Sequence, residues 1–169
     1  MDAGGKANAA MIRLHNEFKE LSRNDGMNYS VGLVKEDLFK WRVTLYGPSN
    51  TDYSGGLFIA ILTFTKDYPF EPPTMTFQSQ MWHPNIYKDG KVCISILHKP
   101  EVDSMGYEHI DERWSPAQSV HSVLMSVICM LGSPNDESPA NVDAAKMLRE
   151  NKSAYRREVQ RCVERSLDI

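Results

Sequence analysis

The sequence predicts a single α+β domain: one N-terminal helix, a four-stranded antiparallel meander sheet, then three C-terminal helices. Three observations carry this. Apolar residues recur at helical spacing before residue 24 and again after residue 115. Between these regions, short segments alternate apolar and polar residues at period two. The turns between those segments are rich in Gly, Pro and Asn and too short to hold crossover helices, so neighbouring strands run antiparallel. A length of 169 residues suits one domain with a sizeable core. The domain is therefore expected to span 1–169.

Composition narrows the class. Hydrophobic residues make up 41% and charged residues 24%, ordinary for a soluble globular chain. A net charge of -3 gives no reason to expect nucleic-acid binding. Three cysteines cannot close a disulfide framework, which points to a reducing compartment. No apolar run approaches the roughly 20 residues of a membrane-spanning helix. Met1 to Ala7 lacks the layout of a signal peptide. Cytosol or nucleus is the default, with no direct membrane insertion.

Residues 1–7 are expected as a flexible tail. From about Asn8 to Arg23, Ala7, Met11, Leu14, Phe18 and Leu21 form one apolar stripe, while Arg13, Glu17 and Glu20 form a charged face. Asn24-Asp25-Gly26 is a helix stop. Val31 and Leu33 open the strand region. Phe39, Trp41, Val43 and Leu45 then share one face of a strand whose other face carries Lys40, Arg42, Thr44 and Tyr46. Gly47-Pro48-Ser49-Asn50 breaks that strand. Leu57 to Phe64 is apolar on both faces and reads as a central strand, and Thr74 to Phe77 as a short fourth one.

Between the last two strands, Pro69, Pro72 and Pro73 fix an extended path around Phe70. Phe70 has two readings, a cap on the core or an exposed anchor for a partner. The Tyr68-Pro69 bond is a candidate for the cis form. His98 to Arg113 holds five acids and two bases and follows no helical or strand period. A loop of that length inside a compact domain is usually functional or disordered. Ser115-Pro116 signals a helix start, Ser as N-cap and Pro at the first helical position. The apolar run from Val120 to Leu131 then reads as a buried helix with Cys129 in the core. Gly132-Ser133-Pro134-Asn135 stops it. Two further helices are expected from about Asn141 to Glu150 and from about Ser153 to Leu167, the last with Cys162 on its packing stripe.

The chemistry centres on Met81 to Leu97. Pro84 pushes His83 towards extended geometry, and Asp89-Gly90 is a turn signal. The segment therefore builds a turn-rich shelf carrying one thiol, Cys93. Asn85, eight residues upstream, can fold back beside it. An unpaired Cys is ordinarily a small buried hydrophobe. The loop setting, and two other cysteines that sit on helical packing stripes, favour a functional role for Cys93.

Competing chemistries fare worse. The five His and three Cys form no C-x-x-C or H-x-x-x-H pair, and the spacing of Cys93, His98, Asp103 and His109 matches no zinc pattern. No metal site is therefore expected, and no nucleotide-binding glycine motif is present. A cysteine hydrolase needs a His as base, and His83 is locked into the shelf beside Trp82, where a structural role is the stronger reading. Without a base, a thiol of pKa about 8.5 is only a few per cent thiolate near neutrality. That suffices for exchange with an already activated thioester. The residues thus point to a cysteine that carries an acyl group rather than one that cleaves peptides. Asn85 offers an amide donor for the oxyanion, a contact worth about 2.7–4 kcal/mol in comparable sites. Its local alternative is to brace a turn.

His83-Pro84-Asn85 followed by Cys93 resembles the signature of ubiquitin-conjugating enzymes. So do Tyr68-Pro69-Phe70 with Pro72-Pro73, Trp114-Ser115-Pro116-Ala117, the Gly47-Pro48 to Gly55-Gly56 stretch and Pro134-Asn135, all in the same order. The resemblance covers Asn8 to Leu167. The acidic insertion within residues 98–113 is similar to that of the subgroup active in endoplasmic-reticulum-associated degradation.

This resemblance implies a site. Cys93 would accept ubiquitin from the activating enzyme as a thioester. Asn85 would stabilise the oxyanion or hold the active-site loop, and His83 would be structural. Phe70, Ser115, Pro116 and Ala117, with first-helix residues such as Arg13, would dock a RING-type ligase. Ser95 and Ser138 occupy positions where short members often carry Asp, and Asp103 and Glu108 of the acidic loop are the candidate substitutes for those missing charges. The implied partners are ubiquitin, the activating enzyme, a RING-type ligase and protein substrates, and chains marking proteins for degradation would be the product. No cofactor is implied, since the activating enzyme consumes the ATP. Cytoplasmic placement, with recruitment to the endoplasmic reticulum surface through a ligase, follows from the same resemblance. The competing class is a non-catalytic binding module of the same fold, whose known variants lack the cysteine.

Overall fold

A computed structural model describes residues 3–23, 28–100 and 109–168. Helix α1 (Ala3–Ser22) precedes strands β1 (Tyr29–Val34), β2 (Asp37–Tyr46), β3 (Leu57–Thr63) and β4 (Thr74–Phe77). Helices α2 (Val120–Gly132), α3 (Val142–Glu150) and α4 (Lys152–Ser166) follow, with short 3₁₀ turns at Ser95–Leu97 and Ile110–Glu112. The strands lie in the order β1-β2-β3-β4, and each neighbouring pair is antiparallel, so the sheet is the expected meander.

Period two works as expected in β2, where Trp41, Val43 and Leu45 are fully buried. In β3, Phe58, Ala60 and Leu62 are buried, and Leu57, Ile59 and Ile61 are only half so. The buried face packs against helices. Trp41 meets Phe18 of α1 edge-on at 5.2 Å between ring centroids. The β1–β2 hairpin closes on Lys35 and Glu36 at φ 49° and 61°, the conformation that a two-residue turn of this hand demands.

Four expectations need correction. Helix α1 begins at Ala3, so only the first two residues of the expected tail fall outside the described structure. Its buried positions are Ala10, Leu14 and Leu21, while Met11 is 43% exposed. The buried line runs through Ala10, Leu14 and Leu21, and Met11 lies one residue round the helix from it. Cys129 is exposed. The apolar run of α2 is long enough to look buried all round, yet only Val120, Val123, Leu124, Val127, Ile128, Met130 and Leu131 face inward. Cys162 is buried, as expected.

The fourth correction concerns the start of α2. The cap is Ser119, which forms a capping box with Ser122, and not Ser115. A helix beginning at Pro116 would need the Val120 N–H to donate to the Pro116 carbonyl. Helix α1 takes both groups. The Val120 N–H donates to Glu17 Oε1 at 2.9 Å, and Arg13 donates to the Pro116 carbonyl at 2.8 Å and the Gln118 carbonyl at 2.6 Å. Residues 115–118 therefore stay a turn, closed by the Gln118 N–H on the Ser115 carbonyl at 2.9 Å.

Candidate active site

The shelf after β4 is built from turns clipped to the sheet. Gly90 has φ 98°, and a Cβ there would lie 2.2 Å from the Phe77 carbonyl oxygen, so only glycine fits. The Phe77 N–H donates to the Gly90 carbonyl at 2.8 Å, and the Val92 N–H to the Met75 carbonyl at 2.9 Å. The chain then doubles back, and the Cys93 N–H donates to the Asn85 carbonyl at 2.9 Å. This bond closes the eight-residue spacing and sets the thiol beside Asn85. Cys93 is half-buried, the exposure a reacting sulfur needs.

His83 is fully buried and purely architectural. Its Nδ1 accepts from the Asn85 N–H at 2.9 Å, so Nε2 carries the proton and donates to the Met130 carbonyl at 2.8 Å. Burial depresses its pKa to about 4, partly opposed by the Met130 carbonyl, and the ring is neutral at physiological pH. It thus locks Asn85 to helix α2 and has no lone pair left for the thiol.

The Asn85 carboxamide faces the loop after α2. It donates to the Asn135 carbonyl at 2.7 Å and accepts from the Asn135 N–H at 2.9 Å. The Asn141 N–H, at the cap of α3, donates to the Pro84 carbonyl at 2.9 Å. The loop between α2 and α3 is thus pinned at Asn135 and Asn141 to the shelf that carries Cys93.

A cleft of about 420 Å³ opens here, with Asn85, Cys93, Ser95, His98, Asn135 and Ser138 among its walls. A second depression of about 190 Å³ also has Cys93 and His98 in its wall, together with Tyr87 and Lys91. Cys93 thus borders two spaces.

Two neighbours of the sulfur were missed as such from sequence. His98 Nε2 lies 3.6 Å from the Cys93 sulfur. The 3₁₀ turn Ser95–Leu97 brings His98 back, and no distinctive residue marks that turn in the sequence. The Tyr87 phenol has its pKa raised, chiefly by charge on the Cys93 sulfur, then by burial and by a hydrogen bond to that sulfur. Contrary to the expectation of a thiol without a base, Cys93 has the His98 imidazole beside it.

The remaining expected residues divide. Ser95 and Ser138 both line the larger cleft. Asp103 and Glu108 lie outside the described residues. Phe70 is 69% exposed, so it is no core cap. The Tyr68-Pro69 bond is cis. Trp114 joins Phe70's segment to the 115–117 turn, its Nε1–H donating to the Pro69 carbonyl at 2.7 Å. Ser115 is half-buried, and Pro116 and Ala117 are exposed beside it. Arg13 does not project outward with them: its guanidinium holds the turn carbonyls and lies 5.4 Å from the centre of the Tyr68 ring. Among the described residues no three His, Cys, Asp or Glu side chains gather for a metal, and no helix is long and apolar enough to cross a membrane.

A meander sheet backed by helices, with one cysteine set between two clefts beside a clamped amide, defines an α+β enzyme of cysteine-centred group transfer. The family model for ubiquitin-conjugating enzyme matches residues 13–163. The chain is 51% identical over 163 residues to ubiquitin-conjugating enzyme E2 14 of Arabidopsis thaliana, covering 96% of this chain and 98% of that one. It is 52% identical over 156 residues to probable ubiquitin-conjugating enzyme E2 7 of Caenorhabditis elegans, covering 92% and 95%. Against ubiquitin-conjugating enzyme E2 G2 of Homo sapiens the identity is 48% over 164 residues, covering 96% and 99%. The chain belongs to the ubiquitin-conjugating enzyme family.

Proposed function

We propose that Cys93 is the ubiquitin-accepting residue of this enzyme. Its sulfur attacks the thioester carbonyl joining the ubiquitin C-terminus to the activating enzyme's cysteine. A new S–C bond forms, the old one breaks, and the thiol proton passes to the departing sulfur. A lysine amine of a substrate or of another ubiquitin then attacks the Cys93 thioester. The C–N bond forms, the C–S bond breaks, and the amine's proton ends on the Cys93 sulfur. The acyl group arrives activated, so no resident cofactor enters either step. The observation that carries this is the half-buried Cys93 thiol, tied by its own N–H to Asn85 at 2.9 Å in the wall of the larger cleft.

The neighbours have distinct parts. His98, 3.6 Å from the sulfur, relays protons to and from it. The Asn85 side chain holds the loop between α2 and α3 at Asn135, and its second N–H is available to the oxyanion. A RING-type ligase docks on Phe70, Ser115, Pro116 and Ala117, an exposed aromatic and an exposed turn whose segments Trp114 ties together through the Pro69 carbonyl. Ser95 and Ser138 line the approach of the incoming lysine, and Asp103 and Glu108 attract it. The products are chains that mark proteins for degradation, made in the cytoplasm or at the endoplasmic reticulum surface where a ligase recruits the enzyme.

The test is loading with activating enzyme, ATP and ubiquitin. A conjugate that collapses with thiol is expected, and Cys93→Ser should give a thiol-resistant ester. A Cys93→Ala chain that still forms the conjugate would overturn the assignment, as would a wild-type chain that binds ubiquitin or ligase without forming one.

A further inference from the structure

The turn that carries Ser115, Pro116 and Ala117 has the sequence of a helix start and is not one. Ser at an N-cap followed by Pro at the first helical position favours helix from Pro116. The structure instead begins α2 at Val120. The difference lies in two side chains of α1. Glu17 Oε1 holds the Val120 N–H at 2.9 Å, and its Oε2 accepts from the Tyr68 hydroxyl. Arg13 donates to the carbonyls of Pro116 and Gln118 at 2.8 and 2.6 Å, and to Glu17 at 3.3 Å. The bond of the longer helix from the Val120 N–H to the Pro116 carbonyl is intercepted at both ends by one ion pair. The Glu17 side chain is only 13% exposed and the Arg13 side chain 31%, so the pair works largely from beneath the surface.

We infer that Arg13 and Glu17 are positioning residues for ligase docking: they hold residues 115–118 unwound, presenting Pro116 and Ala117 together with Phe70, and do not themselves supply the contact. This rests on the reading of Phe70, Ser115, Pro116 and Ala117 as the ligase surface. Two features separate positioning from contact. Glu17 and Tyr68 face inward and offer a ligase almost nothing, yet both belong to the clamp. The Arg13 fork is committed to two carbonyls, a geometry lysine's single ammonium does not reproduce.

The experiment measures affinity for one RING domain, the one in a small panel that most stimulates discharge of the wild-type thioester. Glu17→Ala and Arg13→Ala should each weaken binding about tenfold, with the double variant within about twofold of either single, since the pair acts as one unit. Arg13→Lys should fail to restore binding. Tyr68→Phe, which keeps the ring and removes one bond to Glu17, should weaken binding about twofold and serves where the alanine variants fold poorly. Backbone Cα chemical shifts of residues 116–119 should move towards helical values in Glu17→Ala, a change that general loosening would not produce.

Phe70→Ala is the control. If it leaves affinity unchanged, the ligase surface is misassigned. If it weakens binding while Glu17→Ala does not, or if the Arg13 and Glu17 effects multiply, the positioning role is wrong and Arg13 touches the ligase directly.

Discussion

Asn85 and Asn135 form a reciprocal clasp in which one side-chain amide closes on the backbone C=O and N–H of a single residue, donating at 2.7 Å and accepting at 2.9 Å. Both contacts use main-chain atoms of Asn135, so the two residues should respond differently to truncation. Asn135→Ala keeps the clasp and loses only the bond from the Glu137 N–H to the Asn135 side chain. Its lysine discharge is expected within about threefold of wild type. Asn85→Ala loses the clasp and the amide donor together, and discharge should fall about 10²-fold, the scale of a lost oxyanion donor. Single-turnover discharge of the loaded thioester to free lysine measures both. Equal losses in the two variants would mean that the Asn135 side chain, and not the clasp, organises the loop between α2 and α3.

The β1–β2 hairpin offers a stability test independent of function. Lys35 and Glu36 both sit at positive φ and are both exposed. Side chains with a Cβ are disfavoured there, and Asn-Gly is the preferred pair for this turn. Lys35→Asn with Glu36→Gly should raise unfolding free energy by about 1 kcal/mol, after the extra chain entropy of glycine is offset. A higher urea midpoint at unchanged m-value is the expected reading. A lower midpoint would show that the two side chains contribute contacts outweighing the backbone strain.

Most of the fold was legible because it rests on periodicity, and a period survives local surprises. Trp41, Val43 and Leu45 announced a half-buried strand, and Thr74 to Phe77 appears with the expected bounds. What failed was where a distant element overrides a local preference. Ser115-Pro116 is a good helix start on its own, and Glu17 and Arg13, about a hundred residues away, cancel it. Cys129 looked internal because its neighbours are apolar, and the face it occupies is settled only by where α2 packs. In the site, Cys93 and Asn85 could be paired because both ends of a short turn-rich segment were visible. His98 could not be assigned, since its approach to the sulfur depends on a 3₁₀ turn without a distinctive residue.

Asp103 and Glu108 bring two negative charges to the acidic segment after Cys93. Carboxylates in contact with solvent attract a lysine ammonium over roughly one Debye length, about 8–10 Å at physiological salt. Asp103→Asn with Glu108→Gln should slow chain elongation about threefold at low salt, with little change in thioester loading. The difference should shrink at 0.5 M salt, where screening shortens the reach to about 4 Å. Gel assays of diubiquitin formation and of loading, run at both salts, separate the steps. A loss shared equally by loading and elongation, or one indifferent to salt, would remove the acidic loop from the transfer step.

His83 links the architecture of the site to pH. Its pKa lies near 4 in the folded chain, lowered from 6.5 chiefly by burial. In the unfolded chain the ring titrates normally. Between these values the unfolded state binds more protons, so unfolding gains free energy from acid and stability rises with pH. The contribution is fully present above about pH 6.5 and is lost progressively as pH falls towards 4, by roughly 3 kcal/mol in total. Carboxylates add slopes of their own in this range, so the informative quantity is a difference. Unfolding free energies of wild type and His83→Gln, measured from pH 4.5 to 7.5, should converge as the pH falls. The glutamine chain will start less stable, because it disturbs the bridge from Asn85 through the ring to Met130. Curves that stay parallel would mean that the buried ring exchanges protons as freely in the folded chain as in the unfolded one. The shelf under Cys93 would then be far wetter than a fully buried His83 implies.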